Sequence, residues 1–469
     1  MNIAVLHLLI VAALFVPIMI RRHRQPAARL AWLFIVVLAP YVGALAYLLL
    51  GGTDIGRKRA ARLRAVQEGL PLPPGLATGL AGLSPVFRVG QTISGYPVTG
   101  GNCAQMPADS AATIDAIVAD IDQATSSVHL LFYIWLDDHS GQRVAEALMR
   151  AAARGVACRA MVDDIGSRPL IRSALWQRMA AAGVMLRSAL PVGDPIRRML
   201  RGRIDLRNHR KIVVIDNAIT YCGSQNCADA AFLPKARFAP WVDAVLRFEG
   251  PIALENQHLF ACDWMGNGGD DISALVGGPA VVPAPGEGFA AQVIASGPIW
   301  RASAMPELFC SLIFAARREL IITTPYYVPV PELQAAICAA ANRGVETTII
   351  FPARNDDFAV GRICRGHYES LLAAGVRVFE FAPGLLHAKT LTLDGEMALI
   401  GSANMDRRSF ELNFENTILL EDPATTATIR ARQMAYLGSS REVSLGEVRS
   451  WGVGRRLLNN TMMLFGPVL

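Results

Sequence analysis

Apolar residues along the chain fall into two kinds of run. Two long ones lie near the N-terminus: Ile3–Ile20, interrupted only by His7 and Pro17, and Leu30–Leu50, 21 residues without a charge. Each approaches the ~20 apolar residues needed to cross a hydrocarbon core of about 30 Å. Further on, strand-length runs alternate with stretches of helical period. Ala108–Ala124 reads as a helix and Val128–Trp135 as a buried strand. Helix Gly141–Arg154, strand Val156–Val162, helix Leu170–Ala182 and strand Val184–Ser188 follow. The order recurs as helix Ala304–Arg318, strand Glu319–Tyr326, helix Pro331–Arg343, strand Val345–Phe351, helix Ile363–Ala374 and strand Val376–Phe381. Strands alternating with helices predict βαβ units, hence an α/β fold of two tandem halves with mixed, mostly parallel sheets.

Short phrases support the repeat. Ala153-Arg154-Gly155-Val156 matches Asn342-Arg343-Gly344-Val345, and Ala182-Gly183-Val184 matches Ala374-Gly375-Val376. Gly183 precedes His209 by 26 residues and Gly375 precedes His387 by 12, which places an insertion of about 14 residues near Pro191–Asp205 in the first half. The resulting division is a membrane-anchoring segment of two hydrophobic helices (1–52), a basic juxtamembrane connector (53–107), the first half (108–265), a Gly/Pro-rich linker (266–291), the second half (292–440) and an amphipathic C-terminal tail (441–469).

The halves share a more specific signal. His209, Lys211, Asp216, Gly223, Ser224 and Asn226 recur with identical spacing as His387, Lys389, Asp394, Gly401, Ser402 and Asn404. Each copy reads as a hairpin: Lys211–Ile215 and Lys389–Leu393 run out, Asp216-Asn217 and Asp394-Gly395 turn, and Ala218–Cys222 and Glu396–Ile400 return. Residues two apart on a strand share a face, so each histidine projects with its lysine. Asp216 and Asp394 have the opposite parity and read as braces of the turn, although as motif members they remain in the candidate catalytic set. Ser224, Asn226, Ser402 and Asn404 follow small-residue turns suited to close approach by a phosphate.

This set suits metal-free chemistry on a phosphodiester. One imidazole attacks phosphorus, the other donates a proton to the leaving alcohol, and the ammonium groups neutralise the phosphoryl oxygens. Each half supplies one histidine and one lysine, so the halves must share one active site. Such a histidine needs a partner for its other nitrogen; Asp243 and Glu415 are the candidates. His7 and His23 belong to the membrane segment, while His129, His139, His258 and His367 read as surface or core groups. The aspartate pairs 137–138, 163–164, 270–271 and 356–357 read as turns, with Asp163 and Asp164 near a site edge. No metal-ligand set is apparent, and no cofactor is implied.

Composition narrows the setting. The chain has 469 residues, is 52% hydrophobic, and has a mean hydropathy of +0.32. Its net charge of +6 and pI near 9.0 suit an anionic membrane or a nucleic acid. Arg21, Arg22, Arg24 and Arg29 separate the apolar runs, and Arg57, Lys58, Arg59, Arg62 and Arg64 follow the second. Because basic residues follow the first run rather than precede it, a signal peptide is disfavoured. The positive-inside rule wants both clusters in the cytoplasm, which a simple two-span hairpin forbids; a re-entrant or interfacial first run, or dominance of the second cluster, keeps the main body cytoplasmic. Eight scattered cysteines fit a reducing compartment. Arg197, Arg198, Arg201, Arg203 and Arg207 lie just before His209, and Arg203 and Arg207 are candidate headgroup contacts. The tail Trp451–Leu469 reads as an interfacial helix or as one packed on the body.

The paired motif resembles the phospholipase D superfamily. With the N-terminal apolar runs, Trp241-Val242-Asp243, Phe248-Glu249-Gly250-Pro251, Thr324-Pro325-Tyr326-Tyr327 and Arg408-Ser409-Phe410-Glu411-Leu412-Asn413-Phe414-Glu415, the chain is similar over nearly its whole length to bacterial cardiolipin synthases of that type. The resemblance implies a phosphatidyltransferase that joins two phosphatidylglycerol molecules to cardiolipin plus glycerol, without metal or activated nucleotide, through a phosphatidyl-histidine. It implies His209 as nucleophile, His387 as acid/base, and Asp243 and Glu415 as their orienting partners. Its partners would be phosphatidylglycerol, cardiolipin and the bacterial inner membrane, with no nucleic acid. A membrane phospholipase D using water as acceptor, and a phosphodiester nuclease, are the alternatives on the same residues; an apolar anchor disfavours the nuclease. Arg407 departs from the aromatic often seen at that place and bears on acceptor preference.

Overall fold

The computed structural model describes residues 3–20, 26–52, 55–73, 76, 82–192, 203, 205–276, 288–299, 301 and 304–468. Arg21, Arg22, Arg24, Arg197, Arg198, Arg201 and most of the linker and of the insertion lie outside the described residues.

Fifteen strands form one continuous sheet, to which both halves contribute. Its centre is the seam Phe289–Ser296 and Thr99–Gln105, antiparallel to each other. Outward from Thr99–Gln105 come Val245–Glu249, Ile219–Gly223, Ile212–Ile215, Ser127–Phe132, Ala157–Asp163 and Met185–Ala189. Outward from Phe289–Ser296 come Glu415–Glu421, Met397–Gly401, Thr390–Leu393, Glu319–Thr323, Glu346–Pro352, Arg377–Phe381 and Ser440–Val443. The seam strand Thr99–Gln105 comes from the stretch read in sequence as connector; Gly100 and Gly101 mask its strand pattern.

The sheet is mixed, as expected, but not mostly parallel. Parallel pairing is confined to the helix-linked strands, Ser127–Phe132 with Ala157–Asp163 and on to Met185–Ala189, and their counterparts in the second half. The two motif hairpins and the strands that flank them pair antiparallel, and these pairings are the majority. The physical reason is local: a two-residue turn can reverse a strand but cannot supply the crossover that parallel pairing needs.

The sheet folds over, so its two motif-bearing portions face each other across a shared core. Ile212, Val214, Cys222 and Leu246 from one side meet Ala388, Ala398, Ile400, Ile418 and Leu420 from the other. Separate apolar clusters cover the outer faces. One lies under helices Ser110–Gln123 and His139–Ala153, the other under Ala304–Ala315 and Pro331–Asn342. Helices Ile252–Gly266 and Pro423–Gly438 send Phe260, Trp264, Ile429 and Tyr436 into this shared core, so the layering is helix, sheet, helix, sheet, helix. Helix Ile252–Gly266 has all but one of its residues buried, including Glu255, Asn256, Gln257, His258 and Asp263.

The N-terminal runs differ from each other. Ile3–Ile20 is one helix, long and apolar enough to cross a membrane. The run Leu30–Leu50, expected as a second span, is instead two shorter helices, Pro26–Leu38 and Pro40–Leu50. Pro40 has no N–H to continue the first helix, and Ala39 leaves helical geometry at φ −137°, ψ 73°. The tail forms helix Val453–Phe465, packed on helix Phe358–Gly366.

Candidate active site

Each motif histidine sits just ahead of a buried strand and is tied by its backbone to the opposite half. His209 N donates to Phe414 O at 2.9 Å, and Phe414 N donates to Arg207 O at 3.0 Å. His387 N donates to Val242 O at 2.8 Å, and Leu385-Leu386 pairs parallel with Trp241-Val242. These cross-links place the acidic residue following Phe414 beside His209 and the one following Val242 beside His387.

The side chains pair accordingly. Glu415 Oε2 lies 2.9 Å from His209 Nδ1, and Asp243 Oδ1 lies 2.6 Å from His387 Nδ1. Each histidine is oriented by the other half's carboxylate. Ser402 Oγ donates to Glu415 at 2.5 Å and Ser224 Oγ donates to Asp243 at 2.6 Å, so each carboxylate is held by the hydroxyl of its own half. Both serines are fully buried and also accept a backbone N–H, from Asn416 and Ala244. The hydroxyls of Ser224 and Ser402, expected at a phosphate, are each spent on a carboxylate 19 and 13 residues downstream, a pairing that the motif spacing does not signal.

The lysines fold back on their own histidines. Lys211 Nζ donates to His209 O at 2.8 Å and Lys389 Nζ to His387 O at 2.6 Å. Both ammonium groups are buried. Burial pulls Lys211 down to about 8 and Lys389 down to about 7, against the opposing pull of Glu415 and Asp243. The same burial, resisted by Glu415, takes His209 down to about 4, and His387 is also lowered. Asp243 is held down at about 2 despite its burial, chiefly by His387. Burial thus favours neutral imidazoles and loosens the lysines' hold on their protons, and a bound anion would oppose both shifts.

The two histidines open on a cleft of about 630 Å³ lined by residues of both halves, including His209, His387, Asn226, Asn404 and Asn413. This is the size of an ordinary small-ligand pocket, ~300–1,000 Å³. Asn226 Oδ1 accepts from Ile134 N at 3.1 Å, whereas the buried Oδ1 of Asn404 has no hydrogen-bond partner among the described residues. Tyr133 packs edge-on against His209 with ring centroids 4.9 Å apart, and Trp241 tilts over His387 at 4.7 Å. Neither aromatic was singled out in sequence as a site residue, because a strand Tyr and Trp read equally well as core. Asp406 and Tyr326 also line the cleft; burial lifts Asp406 to about 6.

The remaining candidates divide between the hairpin turns, the cleft wall and the core. Asp216 accepts from the backbone N–H of Thr125, Ser126 and Ser127, and Asp394 from those of Arg317, Arg318 and Glu319. Both brace the hairpin turn against the preceding strand and line no part of the cleft, which removes them from the catalytic set. Arg203 and Arg207 do line it, but Arg203 is paired with Asp205 and Arg207 with the buried Asp163. Asp163 also accepts from Asn208 N at 3.0 Å, anchoring the segment that carries His209. His129 stacks on Phe260 and His258 bonds Tyr96, both in the core. Among the described residues no three His, Cys, Asp or Glu side chains converge as a metal-ligand set.

Comparison with known proteins agrees with this geometry. The family model described as cardiolipin synthase, PLD-like domain, matches residues 117–238 and again 309–434, and a phospholipase D-nuclease N-terminal model matches residues 8–52. The chain is 37% identical to a protein named cardiolipin synthase A of Salmonella arizonae, over 98% of this chain and 96% of that one. It is 35% identical to the protein of the same name from Edwardsiella ictaluri, with the same coverage. In fold it is similar to a phosphatidylserine synthase of Haemophilus influenzae, with a TM-score of 0.58 at 15% identity, covering 82% of this chain and all of that one.

Proposed function

The chain belongs to the cardiolipin synthase family of paired phospholipase D-like domains, and on that premise we propose that it transfers a phosphatidyl group from one phosphatidylglycerol to the headgroup hydroxyl of another, at the bacterial inner membrane. The observation that carries this reading is the crossed pairing of His209 with Glu415 and of His387 with Asp243, with both histidines lining one cleft and a buried lysine bonded to each.

The donor phosphate sits between Lys211 and Lys389, whose charges its oxygens neutralise. Neutral His209 attacks phosphorus through Nε2, the bond from phosphorus to the glycerol oxygen breaks, and His387 in its protonated form gives that oxygen its proton. The bound phosphodiester raises the proton affinity of both imidazoles, opposing the burial that lowers it. Asp243, 2.6 Å from His387 Nδ1, stabilises the imidazolium and supports the acid role on that side. Glycerol leaves. The hydroxyl of a second phosphatidylglycerol takes its place, His387 removes its proton, its oxygen attacks phosphorus, and the bond to His209 breaks. The products are cardiolipin and regenerated enzyme. Aromatic walls at Tyr133 and Trp241 help to keep water from the covalent intermediate.

The test is incubation of the membrane-embedded protein with phosphatidylglycerol alone, with chelator present. Cardiolipin and free glycerol in equal amounts are expected. Phosphatidic acid as the main product would instead make water the acceptor and the protein a phospholipase.

A further inference from the structure

We propose that Leu30–Leu50 is a re-entrant hairpin that enters and leaves the bilayer on one face, and that it seats the mouth of the catalytic cleft on that same leaflet. Pro26–Leu38 has 13 residues and Pro40–Leu50 has 11, so the arms are about 20 Å and 16 Å long at 1.5 Å per residue. Neither arm crosses a core of about 30 Å. The 18 residues of Ile3–Ile20, about 27 Å, come close to that thickness and are long and apolar enough to cross.

The arms are built to lie together. A Cβ at Gly43 would stand 2.6 Å from Ile35 O, so only glycine permits this approach. Trp32 packs edge-on against Tyr47 with centroids 5.4 Å apart, and Ile18 and Val36 complete the buried seam. The outward faces are apolar and exposed, at Leu30, Phe34, Leu38, Val42, Leu45 and Leu48. A break inside hydrocarbon frees backbone carbonyls, and these need donors. His7 supplies one: its Nε2 donates to Val37 O at 3.1 Å, just before the Pro40 break. A histidine in an otherwise apolar span thereby acquires a structural reason.

The base of the hairpin joins the active site. Leu50 lines the cleft, and Arg203 of the cleft wall donates to Gly52 O at 3.4 Å. The last turn, Gly466–Val468, packs on Pro26–Leu38, and Pro467 O accepts from Arg407, another lining residue. Leu233 and Phe358 stand 75% and 63% exposed beside the lining residues Pro234 and Asp357, one from each half. An apolar rim around a polar cleft matches a lipid surface, from which a headgroup enters while its acyl chains stay in the leaflet. A hairpin returning to its starting face also puts the arginines before Pro26 and the cluster Arg57–Arg64 on one side, as the positive-inside rule requires.

The proposal rests on the membrane anchor and not on the transfer chemistry, so labelling can test it without turnover. In the full chain with Cys103, Cys310 and Cys338 changed to serine, single A4C, A27C, V42C and A61C variants are exposed to a membrane-impermeant maleimide in sealed vesicles of both orientations. A27C and A61C should label from one face, A4C from the other, and V42C from neither until detergent is added. Opposite faces for A27C and A61C, or V42C labelled from either face, would overturn the hairpin. Seating is read from Leu233→Glu with Phe358→Glu: activity on phosphatidylglycerol vesicles should fall at least tenfold while activity on short-chain phosphatidylglycerol below its micellar concentration is kept. Equal activity on both, or equal loss on both, would overturn it.

Discussion

At the scale of single residues, the site works by withdrawing charge from water. Both motif histidines and both lysines are buried, and each is pulled toward its neutral form by that burial. His209→Ala and His387→Ala should each lower turnover at least ~10³-fold, as removal of one member of a coupled catalytic set does; radiolabelled cardiolipin formation measures it. The lysines set the alkaline limit. With Lys389 at about 7 and Lys211 at about 8, the free enzyme loses positive charge as pH rises through that range. The kcat/KM for phosphatidylglycerol should therefore fall from about pH 7 upward, while kcat, measured with phosphate bound between the ammonium groups, should hold to higher pH. Coincident alkaline limbs in the two profiles would contradict this account.

At the scale of elements, the repeated hairpin is a rigid mount whose two ends have different duties. At the turn, Asp216 gathers three backbone N–H groups and two hydroxyls from Thr125, Ser126 and Ser127. Asp216→Ala should cost about 2 kcal/mol of stability, given the worth of hydrogen bonds to a charged acceptor. Thermal unfolding should show the loss, and the folded enzyme should keep its kcat. At the other end, Ser402→Ala should also cost stability, since it strands the buried Asn416 N–H, but unlike Asp216→Ala it should lower kcat by ~10-fold or more, because Glu415 loses the donor that fixes it against His209. The hairpins, their turn aspartates and the shared face of His and Lys were legible in the sequence because strand parity and turn residues are local. The role of Ser224 and Ser402 was not, since a small polar residue after a glycine reads alike as a phosphate contact or a carboxylate holder. Pro40 was visible, but a charge-free run outweighed it; the backbone break it imposes decides the local structure.

At the scale of the molecule, the halves are not two sites side by side but one site exchanged between them. Glu415→Gln should impair formation of the covalent intermediate through His209, and Asp243→Asn should impair protonation of the leaving group through His387, each by ~10–100-fold in overall rate. A donor lipid with an acidic leaving alcohol separates them: its burst of released alcohol should survive Asp243→Asn and be lost in Glu415→Gln. The reverse pattern would exchange the roles of the two histidines. The sequence by itself determined the duplicated α/β halves, the twelve motif positions, the candidate carboxylates and the apolar N-terminus, because periodicity, turn chemistry and exact spacing are written along the chain. The tertiary structure alone decided that each carboxylate serves the other half's histidine, that the serines hold carboxylates, that antiparallel hairpins dominate the sheet, and that the second apolar run folds back on itself. The crossed pairing depends on contacts between residues about 200 positions apart, such as His209 with Glu415, and no local pattern encodes which distant strand will lie beside which once the sheet has closed over its core.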